Sequence, residues 1–182
     1  MLSCNRRDFL KMSAGALASA VLPLPALAAV VEHTDCNRKL SFFNTHTQET
    51  LDVCYYESGD YRPEAMDRIN YILRDFRTHQ ILPIDPQLLD QLFALKIRIR
   101  PRTPFHIISG YRSPATNAML RKISTGVART SLHTKGQAID IRLPGYNTAR
   151  LRDLSIKLKA GGVGYYPKSD FVHLDTGRVR HW

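Results

Sequence analysis

Cysteine is scarce in this 182-residue sequence, with three residues in all. This excludes a small scaffold held together by many disulfides. Acidic residues are also few, 16 against 26 Lys and Arg, so the formal net charge is +10. Such a charge favours binding to polyanions in general and does not indicate which one. No internal repeat or low-complexity tract is present, and the hydrophobic and charged fractions of 43% and 23% are typical of globular proteins. The sequence therefore indicates one compact domain rather than a fibrous, disordered or multi-span membrane protein.

Residues 1–28 have the three parts of an export signal. A basic stretch with Arg6 and Arg7 is followed by an apolar stretch, 12–22, that is too short to span a bilayer comfortably, and small residues precede a predicted cleavage before Ala29. The paired arginines resemble the twin-arginine consensus, which predicts the twin-arginine export machinery as a partner and the periplasm as the location. An uncleaved membrane anchor is the alternative. Cleavage would leave one domain, 29–182, with a charge of +8 and no transmembrane segment.

The two cysteines that remain after cleavage, Cys36 and Cys54, are candidates for a disulfide in the oxidising periplasm. Alternating segments at 39–44 and 50–56, joined by a polar turn, predict a β-hairpin. In that hairpin Cys54 faces a residue near Leu40 rather than Cys36, so the disulfide requires the strand to bend.

The remaining periodicity predicts an α+β fold with helices packed on an antiparallel sheet. Helical stripes begin at Pro63, at Asp85 with Pro86, at Ser113 with Pro114, and at Asn147. Asp85 and Asn147 are expected to cap the helices that follow them. We expect helices over 63–76, 86–95, 114–122 and 148–159, and further strands over 105–109, 163–166, 171–174 and 179–182.

Two histidines and one aspartate have the spacing of a metal site. His133 and Asp140 are seven residues apart with Gly136 between them, so a turn can bring the imidazole and the carboxylate together, and a later strand supplies His173. Two His and one carboxylate form a set typical of catalytic zinc, because three protein ligands leave one tetrahedral position open for water. Zinc lowers the pKa of that water from about 15.7 to about 7.

Five segments together resemble a known family. The run SLHTKGQAID, followed by a distal histidine in a strand, is similar to the motif of the zinc D-alanyl-D-alanine and related peptidoglycan peptidases of the M15 family, which have the hedgehog/DD-peptidase fold. The resemblance is to the murein endopeptidase branch and covers the whole predicted mature chain. The segments that carry it are 131–140, 109–113, 161–167, 171–177 and 180–182.

The resemblance implies roles for four residues. His133, Asp140 and His173 would bind one zinc ion per chain, and Arg112 would take the place of an arginine directed at the scissile carbonyl or a neighbouring carboxylate. A fixed guanidinium can stabilise a developing oxyanion without reorganising solvent.

The general base departs from the family pattern. Many members have Glu three residues before the last zinc ligand, where this chain has Asp170, and related peptidases have His two residues before it, where this chain has Phe171. His181 is a second candidate if the last strand folds back beside His173. A three-residue loop would place both histidines on one face, and a two-residue loop would place them on opposite faces. We favour His181, because imidazole can shuttle a proton near neutral pH.

A groove for the peptide stem is the expected substrate site. We predict that Ser131, at the start of the motif, lines it. The aromatic side chains of Tyr111, Tyr165, Tyr166 and Trp182 are expected to line it as well.

These features predict a zinc-dependent peptidoglycan endopeptidase that hydrolyses crosslinks between two meso-diaminopimelate residues, with crosslinks from D-alanine to meso-diaminopimelate as a second candidate substrate. A D,D- or L,D-carboxypeptidase and a non-catalytic peptidoglycan-binding module are the alternatives. Export from the cytoplasm and the lack of a nucleic-acid motif argue against nucleic-acid binding.

Overall fold

The computed structural model describes residues 38–124 and 126–182. The predicted signal, its cleavage site and Cys36 lie outside these residues, so the domain boundary and the disulfide remain predictions. None of the described helices is long and apolar enough to cross a membrane. The elements in chain order are β1 (Arg38–Asn44), β2 (Thr50–Glu57), β3 (Asp60–Tyr61), α1 (Pro63–Ile72), α2 (Pro86–Ile99), β4 (Phe105–Ser109), α3 (Pro114–Ile123), a 3-10 helix (Leu132–Lys135), β5 (Ala138–Arg142), α4 (Thr148–Leu158), β6 (Gly162–Tyr166), a second 3-10 helix (Pro167–Ser169), β7 (Phe171–Asp175) and β8 (Arg180–His181).

The predicted hairpin is present as β1 and β2. Leu40 pairs with Val53 and Phe42 pairs with Leu51, and all four side chains are buried because alternate residues of a strand point to one face. Cys54 pairs with the residue next to Leu40, in agreement with the predicted register.

The strands form one mixed sheet in the order β3-β2-β1-β4-β5-β7-β6-β8. The predicted α+β class is confirmed. The expectation of a wholly antiparallel sheet needs correction, because the described strands include two parallel pairs, β1 with β4 and β6 with β8. The connection from β1 to β4 contains α1 and α2, which is long enough for a parallel crossover.

The pairing predicted for the last strand is wrong. β7 is already paired on one edge with β5 and on the other with β6, so no edge of β7 is free for β8. β8 pairs instead with the outer edge of β6, where His181 is opposite Val163, while His173 is opposite Gly164. The two histidines are therefore not cross-strand neighbours.

The four described α-helices begin where the sequence predicts, and three of them have a side-chain cap. The side chains of Asp85, Ser113 and Asn147 accept hydrogen bonds from backbone N–H groups in the first turns of α2, α3 and α4. The first helix ends at Ile72, four residues before the predicted end at 76. After Ile72 the chain contacts the loop between β4 and α3: Leu73 O accepts the N–H of Tyr111, and Asp75 Oδ2 accepts the N–H of Ser113.

The core lies between the sheet and the helices. Helix α2 buries Leu88, Leu89, Leu92 and Leu95 completely, at the spacing of one helical face. These side chains belong to one cluster with the buried residues of the central strands. Full burial of one such leucine contributes about 1.5–3 kcal/mol.

Gly136 is the residue that allows the turn between the first 3-10 helix and β5. Its φ is +69°, and an added Cβ would overlap the carbonyl oxygen of Pro83. The Gly136 carbonyl oxygen also accepts the N–H of Asp85, at 3.0 Å. The turn is thus packed against the chain that leads into α2.

We expect Gly136→Ala to destabilise the protein by about 3 kcal/mol or more, from the strained φ and the steric overlap together. Gly145→Ala is the matched control, because Gly145 also has positive φ, +75°, but has no atom within 4 Å of an added Cβ. That control is expected to cost about 1 kcal/mol. Urea unfolding of both variants measures the difference, and equal losses would contradict the packing argument.

Candidate metal centre and cleft

The three predicted ligands converge on one point. His133 Nε2 lies 3.2 Å from His173 Nδ1 and 3.3 Å from Asp140 Oδ1, and the two latter atoms are 2.8 Å apart. In the described part of the chain, these residues form a group of His, Cys, Asp and Glu that can hold a metal ion. All three side chains are almost fully buried, at 3%, 9% and 11% exposed for His133, Asp140 and His173.

Local structure explains the convergence. Asp140 on β5 and His173 on β7 are directly opposite each other in the antiparallel register, so their side chains are neighbours on one face of the sheet. His133 lies in the 3-10 helix that precedes β5, and the turn at Gly136 returns the chain so that the imidazole reaches the same point. The structure thus brings together the three residues that the sequence analysis singled out as metal ligands.

The outward-facing nitrogens of both imidazoles are already used. His133 Nδ1 donates to the carbonyl oxygen of Gly110 at 2.8 Å, since a carbonyl can only accept. His173 Nε2 donates to Asp175 Oδ2 at 3.0 Å, since an ionised carboxylate can only accept. The inward nitrogens therefore present lone pairs to each other and to Asp140. Three lone pairs that face one another require a proton or a cation between them.

The electrostatics of the three groups agree with this requirement. Burial alone would raise the pKa of Asp140, but the two adjacent imidazoles hold it well below its usual range. Burial lowers the pKa of His133. For His173 burial acts in the same direction, but the hydrogen bonds to Asp140 and Asp175 prevail and raise its pKa to about 9. Without a metal, the cluster therefore keeps one proton at neutral pH, which a divalent cation can displace.

The donor set fits zinc. Atoms that surround a tetrahedral zinc ion at about 2.0–2.1 Å lie about 3.3 Å from one another. Two of the three separations match this value within 0.1 Å, and the Asp140–His173 separation of 2.8 Å is shorter. Two imidazoles and one carboxylate form a catalytic set that leaves one position open.

Arg112 is fixed beside the cluster. Its Nη2 lies 3.1 Å from Ser109 Oγ and 3.5 Å from Asp140 Oδ2, and its side chain is 12% exposed. Burial lowers the pKa of the guanidinium, while the charge of Asp140 opposes the shift. The structure therefore places Arg112, the predicted oxyanion-stabilising residue, beside the three predicted ligands and in the lining of the cleft.

The loop that carries Arg112 is held on both sides. The N–H of Tyr111 donates to Leu73 O at 2.7 Å, and the N–H of Arg112 donates to His133 O at 3.1 Å. The N–H of Ser113 donates to Asp75 Oδ2 at 2.8 Å. Residues 73–75, directly after α1, therefore fix the loop that positions the guanidinium.

A cleft of about 340 Å³ opens above the cluster. The predicted residues Ser131, Tyr166 and Trp182 line it, whereas Tyr111 and Tyr165 do not. Tyr111 is 8% exposed and belongs to the core. Tyr165 alternates with its neighbours on β6, so its ring points to the other face, where Arg152 lies 4.6 Å from the ring centroid. The three ligands, Arg112, Asp175 and Arg180 also line the cleft. The remaining lining comes from Ser124, Gly126, Val127, Ala128, Thr130, Leu132, Ser169 and Phe171.

Neither predicted general base lines the cleft. His181 is exposed on β8, and the hairpin that was expected to bring it beside His173 does not form. Asp170 is exposed in the turn before β7, and its carboxylate accepts a hydrogen bond from Thr148 Oγ1. Its two sequence neighbours, Ser169 and Phe171, do line the cleft.

Asp175 is a site residue that the sequence analysis missed. Its side chain is fully buried and contacts His173. A signal was available, because residues two apart on a strand share a face, and Asp175 follows the ligand His173 by two.

An α+β fold with a His-Asp-His cluster beside a fixed arginine defines a metallopeptidase of the M15 class. The family described as "Peptidoglycan L,D-endopeptidase MepK", within the M15 peptidases, matches residues 32–182. The chain belongs to this family. The resemblance, the fold class and the identification as a peptidase are thereby confirmed.

Two similar proteins cover nearly the whole chain. Peptidoglycan L,D-endopeptidase MepK of Escherichia coli (strain K12) is 44% identical over 178 residues, which are 98% of this chain and 97% of the relative. Probable peptidoglycan L,D-endopeptidase MepK of Haemophilus influenzae (strain ATCC 51907 / DSM 11121 / KW20 / Rd) is 38% identical over 179 residues, 98% and 95% of the two chains. No solved structure matches significantly.

We expect Asp75→Asn to lower the free energy of unfolding at pH 7 by about 1–3 kcal/mol. Burial alone would raise the pKa of Asp75, but hydrogen bonds from Ser113, Thr116 and Arg77 hold it well below its usual range. The stability from this carboxylate is therefore present above the unfolded pKa, near 3.9, and is lost as the pH falls toward the folded value.

The measurement is urea unfolding of wild type and variant between pH 7 and pH 2.5. The gap between them should narrow below about pH 4. Asp67→Asn, at an exposed position, is the control and should change stability by less than about 0.5 kcal/mol. A gap that stays constant with pH would contradict the role of the ionised carboxylate.

Proposed function

We propose that this protein is a zinc-dependent peptidoglycan L,D-endopeptidase that acts outside the cytoplasm, in the periplasm. The observation that carries the proposal is the set of three converging lone pairs of His133, Asp140 and His173 at the floor of a cleft, beside Arg112. Relatives that cover almost the whole chain are named peptidoglycan L,D-endopeptidases, which supports the substrate class. Twin-arginine export rests on the sequence of residues 1–28.

A zinc ion held by the three ligands would supply a Lewis acid and activate water for attack on an amide. The chain itself supplies orientation and charge. Gly110 fixes the tautomer of His133, and Asp140 gives the negative charge that neutral imidazoles lack. Arg112 is buried and restrained by Ser109, so its guanidinium can donate to the developing oxyanion of the scissile carbonyl with little reorganisation.

The cleft offers aromatic surfaces to a peptide stem. Trp182 lies with its ring centroid 5.4 Å from that of His173, and its Nε1 donates to the hydroxyl of Tyr166 at 3.1 Å. Tyr166 in turn stacks on Phe171 at 4.5 Å. These three rings form one wall of the cleft, and Ser131 lies in its lining.

Crosslinks between two meso-diaminopimelate residues are the preferred candidate substrate. Such a crosslink joins the carbonyl of an L centre to the amine of a D centre, which is an L,D bond. A crosslink from D-alanine to meso-diaminopimelate is a D,D bond and is the second candidate. The names of the relatives favour the first.

Asp170 is the stronger candidate for proton transfer to the leaving amine. It lies between two residues that line the cleft, and its carboxylate is exposed and accepts a single side-chain hydrogen bond, from Thr148. His181 has no such position, because β8 pairs with β6.

Removal of metal is expected to abolish hydrolysis of purified 3-3 crosslinked muropeptide dimers, and added zinc should restore it. His133→Ala should lower the rate roughly 100-fold or more, because the open metal site loses one of three ligands. The products are measured by liquid chromatography, with 4-3 dimers and uncrosslinked tetrapeptides as parallel substrates.

His106→Ala is the control for that experiment. His106 lies on β4 outside the cleft, with its ring tilted against that of Phe43 at 4.7 Å between centroids, and its loss should leave the rate nearly unchanged. Activity that survives both chelation and His133→Ala would refute the metal mechanism. Trimming of tetrapeptides with intact dimers would indicate a carboxypeptidase instead.

Asp170→Ala is expected to lower kcat by about 10²–10⁴-fold, the usual contribution of a general acid or base. His181→Ala, at the other predicted position, should retain the wild-type rate within a few-fold. Steady-state kinetics on the preferred dimer, with zinc content measured for each variant, makes the comparison. The reverse pattern would return the role to His181 and contradict the assignment to Asp170.

A further inference from the structure

The carboxylate of Asp175 contacts a predicted metal ligand from behind. Asp175 is completely buried, and its Oδ2 lies 3.0 Å from Nε2 of His173. The opposite ring nitrogen, Nδ1, is the one directed at Asp140 and His133. Asp175 is therefore placed to control the ring of His173 without itself reaching the metal position.

The same carboxylate is held in place by donors from three other positions. Its Oδ1 accepts the N–H of Gly162 at 3.0 Å and the N–H of Gly177 at 2.9 Å. Arg180 adds a two-pronged contact, from Nη1 to Oδ1 at 3.0 Å and from Nη2 to Oδ2 at 2.7 Å. With every strong acceptor direction occupied, the carboxylate has little freedom to rotate.

Two glycines leave room for this arrangement. An added Cβ at Gly162 would overlap both the Asp175 carboxylate and the Arg180 guanidinium. An added Cβ at Gly177 would lie 2.9 Å from a methyl carbon of Leu132 and 3.0 Å from Asp175 Oδ1. At Gly177 the Leu132 side chain would have to shift, and the contact with Asp175 would be unusually tight. The backbone therefore closes around the carboxylate.

We propose that Asp175 is a positioning residue that fixes His173 in the tautomer required for metal binding and joins this ligand to Arg180 on the last strand. An N–H at Nε2, held by the carboxylate, leaves Nδ1 with a free lone pair directed at the metal position. A carboxylate behind a ligating histidine also increases its basicity, and loss of such a partner typically weakens metal affinity 10–100-fold.

Arg180 completes the arrangement. It balances the buried charge of Asp175, lines the cleft, and lies 4.9 Å from the ring centroid of Trp182. The metal ligand, the buried carboxylate and the aromatic wall are thus connected through one guanidinium. We therefore expect the loss of Asp175 to change the metal affinity directly, and to change the position of the aromatic wall only through Arg180.

The inference rests on the proposed metal function, and zinc affinity tests the two separately. Full-length wild type and Asp175→Asn are titrated with zinc against a chromophoric chelator. The variant is expected to bind zinc 10–100-fold more weakly. Asp153→Asn is the matched control, because Asp153 is also paired with an arginine, Arg152, but is exposed on α4, and its affinity should not change.

The outcomes separate the claims. Zinc binding by wild type with equal affinity in Asp175→Asn would overturn the inference and leave the proposed function intact. No zinc binding by wild type would overturn both. Arg180→Gln, which leaves the contact between Asp175 and His173, should weaken zinc binding less than Asp175→Asn does, and a larger loss would assign the main role to Arg180.

A spectroscopic measurement on wild type covers the case in which Asp175→Asn does not fold. Nitrogen-15 NMR of the zinc-loaded protein reports which ring nitrogen of His173 carries hydrogen. A proton on Nε2, with Nδ1 shifted by the metal, supports the inference. Metal at Nε2 would overturn it, because the carboxylate could not then accept a hydrogen bond from that nitrogen.

Discussion

The register between β5 and β7 is the constraint on which the site depends. It places Asp140 opposite His173, and it is fixed by the other face of the same two strands. There Ile139 pairs with Leu174 and Ile141 pairs with Val172, and all four side chains are buried. A slip of one residue in one strand would move its apolar side chains out of the core and place Asp140 or His173 in the core instead. Such a slip would cost several kcal/mol. The hydrophobic core therefore determines the geometry of the metal centre.

The charges at the floor of the cleft follow from the same placement. Asp140 and Asp175 carry two negative charges, and Arg112 and Arg180 carry two positive charges at 3.5 Å and 2.7 Å from them. These four charges cancel, so a bound divalent ion would make the floor positive. A positive, water-poor floor stabilises negative charge that develops on a carbonyl oxygen, and it favours substrates that carry free carboxylates. The four charged side chains of the floor, taken together, therefore do not offset the charge of the ion.

Local features could be predicted from the sequence, and non-local ones could not. The caps at Asp85 and Asn147 depend on residues within one helical turn, and the meeting of His133 with Asp140 depends on a single turn at Gly136. The partner of β8 depends on which strand edges remain free after the other described strands have paired, and no local pattern contains that information. The hairpin assumed for His181 had plausible turn chemistry, yet β5 and β6 already occupied both edges of β7. The prediction for Tyr165 was wrong because side chains alternate along β6, and Tyr165 falls on the face opposite the cleft.

Acidic residues are unevenly distributed along the chain, so most of the positive net charge lies in the second half of the sequence. Residues 91–182 contain 17 Lys and Arg but only four Asp and no Glu. Two of those four, Asp140 and Asp175, are buried in the site and are neutralised there by arginines. The half of the sequence that builds the cleft thus presents almost only cationic groups to solvent. Because exposed charges act over about one Debye length, roughly 8–10 Å, such a surface concentrates a carboxylate-rich polymer near the cleft before any specific contact forms. Basicity and metal chemistry are then parts of one arrangement: the surface attracts the anionic polymer, and the buried arginines balance the two buried carboxylates of the site.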